Sequence, residues 1–127
     1  MDLNRVTFLG YVSKAPERKT AGKQTLTKFH LATNYTWKEP KTGEVKEKAD
    51  FHSIVAWGKL GQTIQQYVHK GDHLFLEGRL SNHHYEDQAG VTHYYTDIVA
   101  NTMSMLTPKK ATEDTEEIRM EEIPEVV

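Results

Sequence analysis

Residues 51–71 read FHSIVAWGKLGQTIQQYVHKG, and the spacing of apolar side chains changes halfway along them. From Phe51 to Trp57 the pattern alternates, with Phe51, Ser53, Val55 and Trp57 on one face and His52, Ile54 and Ala56 on the other, as in a strand. From Leu60 the period lengthens: Leu60, Ile64 and Tyr67-Val68 recur at helical spacing, and Lys70-Gly71 is a C-terminal stop. A strand running into one short helix is the anchor from which the rest is read. Upstream, Leu3 to Val12 forms a first strand, with Val6 and Phe8 on one face. Ser13 to Gln24, containing Pro16 and Gly22, reads as a polar loop. Thr25 to Trp37 alternates again and puts Phe29, Leu31, Thr33, Tyr35 and Trp37 on one side. Lys38 to Glu47, with Pro40 and Gly43, is a hairpin tip, and the third strand begins at Lys48. Downstream, His73 to Asn82 and Val91 to Leu106 are strands on either side of a tight turn at Asp87-Gln88-Ala89-Gly90.

Three strands, one short helix and two further strands make the order of an OB fold. This is an all-β, five-stranded Greek-key barrel with its helix between strands 3 and 4. At 127 residues the chain holds one such domain, over residues 1–106, followed by a short linker and acidic tail over 107–127. There is no cysteine, which removes disulfides and thiolate chemistry from consideration. No apolar run reaches membrane-spanning length and the start lacks the pattern of a signal peptide, so a cytoplasmic protein is expected. The net charge of −2 hides a division. Residues 1–110 carry 15 basic against 11 acidic side chains, whereas residues 111–127 carry Arg119 against seven acids. So charged a tail, with so few apolar groups, is expected to be disordered.

Function is suggested by rings on strands. Trp37, Phe51 and Trp57 lie between and beside lysines in a segment that reads as extended. Aromatic faces offer π-surfaces to unpaired bases, and lysines at the margins neutralise phosphates. A protein reading duplex has less need of exposed rings, because paired bases already stack on one another.

Several segments then resemble one family in order along the chain. Leu3-Asn4-Arg5-Val6 with Gly10 and Pro16-Glu17, Leu31-Ala32-Thr33-Asn34 before Trp37, and Phe51 through Leu60 look like bacterial single-stranded DNA-binding proteins. So do Lys70-Gly71, Glu77-Gly78-Arg79-Leu80, the Asp87 turn with Tyr95-Thr96, and Met103-Ser104-Met105-Leu106. The resemblance spans roughly residues 3–106. It implies an OB-fold homotetramer, nucleoid-associated, that binds and protects single-stranded DNA without sequence preference during replication, recombination and repair. It implies no covalent chemistry, no cofactor and no metal. An OB-fold adaptor of a primosome or repair assembly, acting mainly through protein contacts, is the alternative.

By the same resemblance, Trp37, Phe51, Trp57 and Tyr85 are the stacking aromatics. Arg5, Lys19, Lys38, Lys46, Lys59 and Lys70 are the phosphate contacts, with Arg18 adjacent. Phe29, Tyr67, Phe75 and Tyr11 are assigned to the core or to subunit contacts, and His52 to the interior or a subunit interface. The family's tail theme persists as Glu121-Glu122-Ile123-Pro124, but Glu125-Val126-Val127 replaces its usual terminal phenylalanine. Partner docking would therefore fall to Glu121, Glu122, Ile123, Pro124 and Val127.

His83 and His84 stand where the family often carries arginine and lysine, and His93 lies opposite across the hairpin. Protonated, they would add cations to the path of the strand; the alternative is a solvated hairpin tip. With no thiolates to join them, a zinc site is the weaker reading.

Overall fold

The computed structural model describes residues 2–107 and the pair Glu125–Val126. The proposed partner-docking residues Glu121, Glu122, Ile123, Pro124 and Val127 lie outside the described residues, as does most of the tail expected to be disordered. The elements are β1 (Val6–Ala21), β2 (Gln24–Lys38), β3 (Val45–Trp57), α1 (Gly58–Tyr67), β4 (His73–Glu86), β5 (Thr92–Met105) and β6 (Glu125–Val126). Strands follow the order β3-β2-β1-β4-β5-β6, antiparallel throughout except at the closure. There β3 and β5 run parallel, Ile54 opposite Ile98 and Val55 opposite Val99. That short seam turns five strands into a closed barrel and removes two sheet edges.

The core consists of side chains that point inward by strand alternation. Val12, Phe29, Leu31, Ile54, Ala56, Leu74, Leu76, Ile98, Ala100 and Met103 are all buried. Ile64 of α1 and Val68, the extended residue that follows it, join them, so the helix and its exit close one end of the barrel. Gly58, at φ +61°, lets the chain leave β3 and enter the helix in one step. Gly61 allows α1 to lie directly on β3: a Cβ there would stand 2.5 Å from the Ala56 carbonyl oxygen. Beside it the Thr27 hydroxyl donates to the Gly61 carbonyl at 2.8 Å, tying the helix to β2 as well.

Two expectations about boundaries are corrected. The segment read as a loop from Ser13 to Gln24 is strand on both sides of a turn at Gly22-Lys23, with β1 paired to β2 as far as Ala21 opposite Gln24. Pro16 is tolerated because pairing slips between Val12 and Lys14 and again between Lys14 and Glu17, where a missing N–H breaks no ladder bond. At the other hairpin β3 starts at Val45 rather than Lys48, opposite Lys38. Polar composition misled in both places. These strands extend beyond the barrel, where neither face is covered and no apolar alternation is needed.

Three hairpin arms result, β1–β2, β2–β3 and β4–β5. Beyond them, β6 pairs with β5 past the end of the seam, Val126 opposite Met103 and Glu125 opposite Ser104. Among the described residues no helix is long and apolar enough to cross a membrane.

Candidate nucleic-acid interface

On the outer side of the closure, the β1–β2 arm and the β4–β5 arm flank the exposed face of β3. Between them lies a groove of about 530 Å³, lined by Lys19 and Lys28 on one side, Arg79, His83 and Tyr95 on the other, and Val55, Trp57 and Asp97 among the remainder. Pairing fixes which side chains reach this face. Leu26 lies opposite Trp57, Lys28 opposite Val55, His30 opposite Ser53 and Ala32 opposite Phe51, so all eight point outward together. Phe51 is 65% exposed and Trp57 39%. An exposed ring costs hydrophobic free energy, and between Phe51 and Trp57, six positions apart, this face carries only the smaller Ser53 and Val55.

Tyr85 stands on the β4–β5 arm within a set of four rings. Its centroid lies 5.0 Å from that of His93 and 6.2 Å from that of Tyr95, while His83 stacks on Tyr95 at 5.0 Å. Each end of this row meets a carboxylate. His93 Nε2 donates to Asp87 Oδ2 at 2.7 Å, and His83 Nε2 lies 3.6 Å from Asp97 Oδ2. The Asp87 carboxyl is held below its usual range chiefly by that bond from His93, and further by backbone N–H donors of the turn it closes. His84 belongs to the other face of the arm, against Tyr94. The three histidines therefore do not converge, and among the described residues there is no cluster of three or more His, Cys, Asp or Glu suited to a metal.

Trp37 is placed differently from the other expected stacking rings. It pairs with Lys46 on the face of the β2–β3 arm opposite to Phe51 and Trp57, stacked on Tyr35 at 5.7 Å. Of the expected phosphate contacts, Lys19 lines the groove. Lys38 and Lys46 lie on the β2–β3 arm, Arg18 on the β1–β2 arm, Lys59 in the first turn of α1 and Lys70 in the turn before β4. Arg5 is engaged with Glu77 at 3.0 Å, Lys19 with Glu17 at 3.6 Å and Lys46 with Glu44 at 3.8 Å, all at the surface, where such pairs are weak and easily exchanged.

Lys28, Arg79, Tyr95 and Asp97 escaped sequence reasoning. The alternation that put Phe51 and Trp57 outward also puts Lys28 outward, once the β2–β3 register is known. Arg79 and Tyr95 lay within recognised motifs without an assigned role. Of the residues assigned to core or subunit contacts, only Phe29 is in the core. Tyr67 and Phe75 are each 39% exposed and Tyr11 48%. His52 is half-buried as expected: it packs on Phe8 with centroids 4.3 Å apart, and its Nε2 is 2.9 Å from the Thr33 hydroxyl. Burial lowers its pKa, with Asp50 acting the other way.

A five-stranded barrel with its helix between β3 and β4, and a groove of rings and cations between two arms, defines an OB-fold protein with a surface of nucleic-acid-binding character. The chain belongs to the Single-strand binding protein family, which matches residues 3–106. It is 39% identical over 109 residues to Single-stranded DNA-binding protein 1 of Chlorobaculum tepidum, covering 84% of this chain and 67% of that protein. Against the Single-stranded DNA-binding protein of Bacteroides thetaiotaomicron it is 38% identical over 114 residues, covering 87% of this chain and 70% of the relative. Among solved structures, the Plasmodium falciparum SSB complex with ssDNA superposes with a TM-score of 0.76 at 26% identity, over 84% of this chain and 97% of that one.

Proposed function

We propose that this protein binds single-stranded DNA along the outer face of β3, stacking bases on Phe51, Trp57 and Tyr85 while Lys19, Lys28 and Arg79 neutralise phosphates. The observation that carries this reading is the exposure of Phe51 and Trp57 on a face whose margins are cationic. Rings left in water gain a partner when an unpaired base covers them, and every base has such a face, so binding is largely independent of sequence. Trp37, Arg5, Arg18, Lys38, Lys46, Lys59 and Lys70 extend the path beyond the groove, round the arms and the barrel surface. Protection of the strand in replication, recombination and repair follows from covering it, and requires neither cofactor nor catalysis.

A homotetramer in the cytoplasm, associated with the nucleoid, completes the proposal, with further proteins meeting the acidic tail. The outer face of β1 and β4 supports self-association. Leu9 lies opposite Phe75 and Tyr11 opposite His73, and Leu9, Tyr11 and Phe75 are 56%, 48% and 39% exposed. A contiguous apolar patch of this kind is the usual mark of a protein contact.

Titration of the tryptophan fluorescence with oligo-dT tests the reading directly. Quenching that saturates, and reverses on adding salt, is the expected result, since affinity for a single strand falls with salt in proportion to the phosphates neutralised. Unchanged emission and no retention of labelled oligo-dT at low salt would sink it.

A further inference from the structure

The β4–β5 arm carries three histidines, and strand pairing separates them. His84 faces away from the groove, against Tyr94. His93 is held by the Asp87 carboxylate at 2.7 Å, beside the turn that ends the arm. His83 alone of the three lines the groove. Its Nε2 lies 3.6 Å from Asp97 Oδ2 and 3.2 Å from the Ser81 hydroxyl, and its ring stacks on Tyr95 with centroids 5.0 Å apart. The side chain is still 41% exposed, so a DNA strand lying in the groove can reach it.

Asp97 fixes what a neutral His83 can do. A neutral imidazole has one N–H and one lone pair, on nitrogens that point apart. The carboxylate draws the N–H to Nε2 and leaves the lone pair on Nδ1. A lone pair is no partner for a phosphate, and Asp97, the one acid of the groove lining, repels phosphate outright. A second proton reverses both effects. Nδ1 becomes a donor, and the ring becomes a cation that offsets the carboxylate beside it. Of the groups that face His83, Tyr95 and Asp97 come from β5 and Ser81 and Arg79 from β4, while Lys19 and Lys28 stand across the groove on β1 and β2. Histidine is the side-chain type that changes charge between about pH 5 and 8.

We propose that His83 is a phosphate-binding residue that works only when protonated, so that the protein takes up a proton as the β4–β5 side of the groove takes hold of a DNA strand. This rests on the single-strand reading above and adds to it a dependence on pH, with no preference among bases. With the ring neutral, this side of the groove meets the phosphates with an uncompensated carboxylate. With the ring charged, it meets them with a paired carboxylate and a free N–H donor.

The test is anisotropy titration of labelled oligo-dT over a series of salt concentrations at about pH 8 and about pH 6, between which thymine has no titrating group and histidine changes charge. Affinity is expected to rise roughly ten-fold at the lower pH, the scale of one charge-assisted contact. The salt slope should steepen by about 0.7, the share of one phosphate on a single strand. In His83→Gln both changes should vanish, and in His83→Arg tight binding should hold at both pH values. His84→Gln, His93→Gln and His30→Gln should each keep the rise, His30 being a histidine on the outward face of β2 opposite Ser53. Calorimetry in two buffers of different ionisation enthalpy should show proton uptake on binding by the unaltered protein and none by His83→Arg, a readout that a merely structural role would not move. Equal affinities and slopes at the two pH values, a rise that survives in His83→Gln, or one abolished by any of the other three variants would overturn the proposal. If His83→Gln fails to fold, proton uptake by the unaltered protein and its loss in His83→Arg decide. No binding at either pH would overturn the single-strand reading as well, whereas tight binding indifferent to pH removes the role of His83 alone.

Discussion

Phe51 and Trp57 are rings held in water by a strand whose other face carries the core, and Tyr85 stands on an arm beyond the barrel, so removing any of them leaves packing largely intact. Each of Phe51→Ala, Trp57→Ala and Tyr85→Ala is expected to weaken oligo-dT binding by about 1–3 kcal/mol, the worth of one base stack, without lowering thermal stability to match. Trp37 lies on the opposite face of the β2–β3 arm beside Tyr35, so a strand reaches it only by passing round the arm. Trp37→Ala should therefore cost less than Trp57→Ala with oligonucleotides just long enough to fill the groove, and comparably with longer ones; equal losses at both lengths would show that the two rings share one face. His52 makes a separate residue-scale claim. Its folded pKa is lowered from 6.5 by burial, so the unfolded chain takes up the proton more readily than the folded one. Stability is then greatest above about pH 6.5 and declines as pH falls from there to the lower folded pKa. Thermal unfolding at about pH 7.5 and 5.5 should show a drop in midpoint for the protein as it stands and a smaller drop for His52→Gln. The Asp87 carboxyl, with its lowered pKa, titrates well below that window and does not obscure it.

At the scale of elements, α1 seats directly on the end of β3. Gly61 permits it: a methyl group would meet the Ala56 carbonyl and the Thr27 hydroxyl, and of these only the hydroxyl can turn aside. Gly61→Ala is a favourable change for an isolated helix, because alanine is the better helix former. Here the clash should win and cost about 1–3 kcal/mol, the usual penalty for overpacking. A urea titration would show a lower midpoint with an unchanged slope; a raised midpoint would mean that α1 shifts outward freely. The same comparison explains the arms. Local composition marked 13–24 as a loop and 38–47 as a hairpin tip, but each is stabilised by the ladder it continues, and the pairing slips around Pro16 absorb a residue that a regular ladder rejects.

For the whole molecule, charge and shape act together. The tail after residue 110 is strongly acidic and the body mildly basic, so the tail is expected to compete with phosphate for the same cations. Removing residues 111–127 should tighten binding to oligo-dT at low salt, with the gain fading as salt rises and screening shortens the range of the competition. Equal affinities with and without the tail at low salt would refute it. The fold should survive, because β6 contributes only two residue pairs on the edge of β5. On the outer face of β1 and β4, Phe75→Glu places a charge in the patch shared with Leu9 and Tyr11. Sedimentation should then show a smaller species than the parent protein, with binding to groove-length oligonucleotides retained. An unaltered sedimentation coefficient would mean that subunits meet elsewhere.

The order of elements as far as β5, the inward faces of β2 and β3, the helix between β3 and β4 and the exposure of Phe51 and Trp57 were all legible in the sequence. Each depends on a local period, two residues for a strand and about 3.6 for a helix, set by neighbouring side chains alone. The Asp87 turn was legible for the same reason, since its hydrogen bonds to Ala89 and Val91 join residues at most four apart. Register was not. It sets which strand lies opposite which residue, and it is decided by barrel closure, where Ile54 meets Ile98 across 44 positions of chain. From register come Lys28 beside Val55, Trp37 on the far face of its arm, His93 opposite Tyr85 rather than beside His83, and Asp97 beneath a groove built from all five barrel strands. The extent of the arms was hidden too, because strands without a covered face have no need to alternate. Local chemistry determined the elements and the rings; only the closing of the barrel decided which charges and rings share a surface.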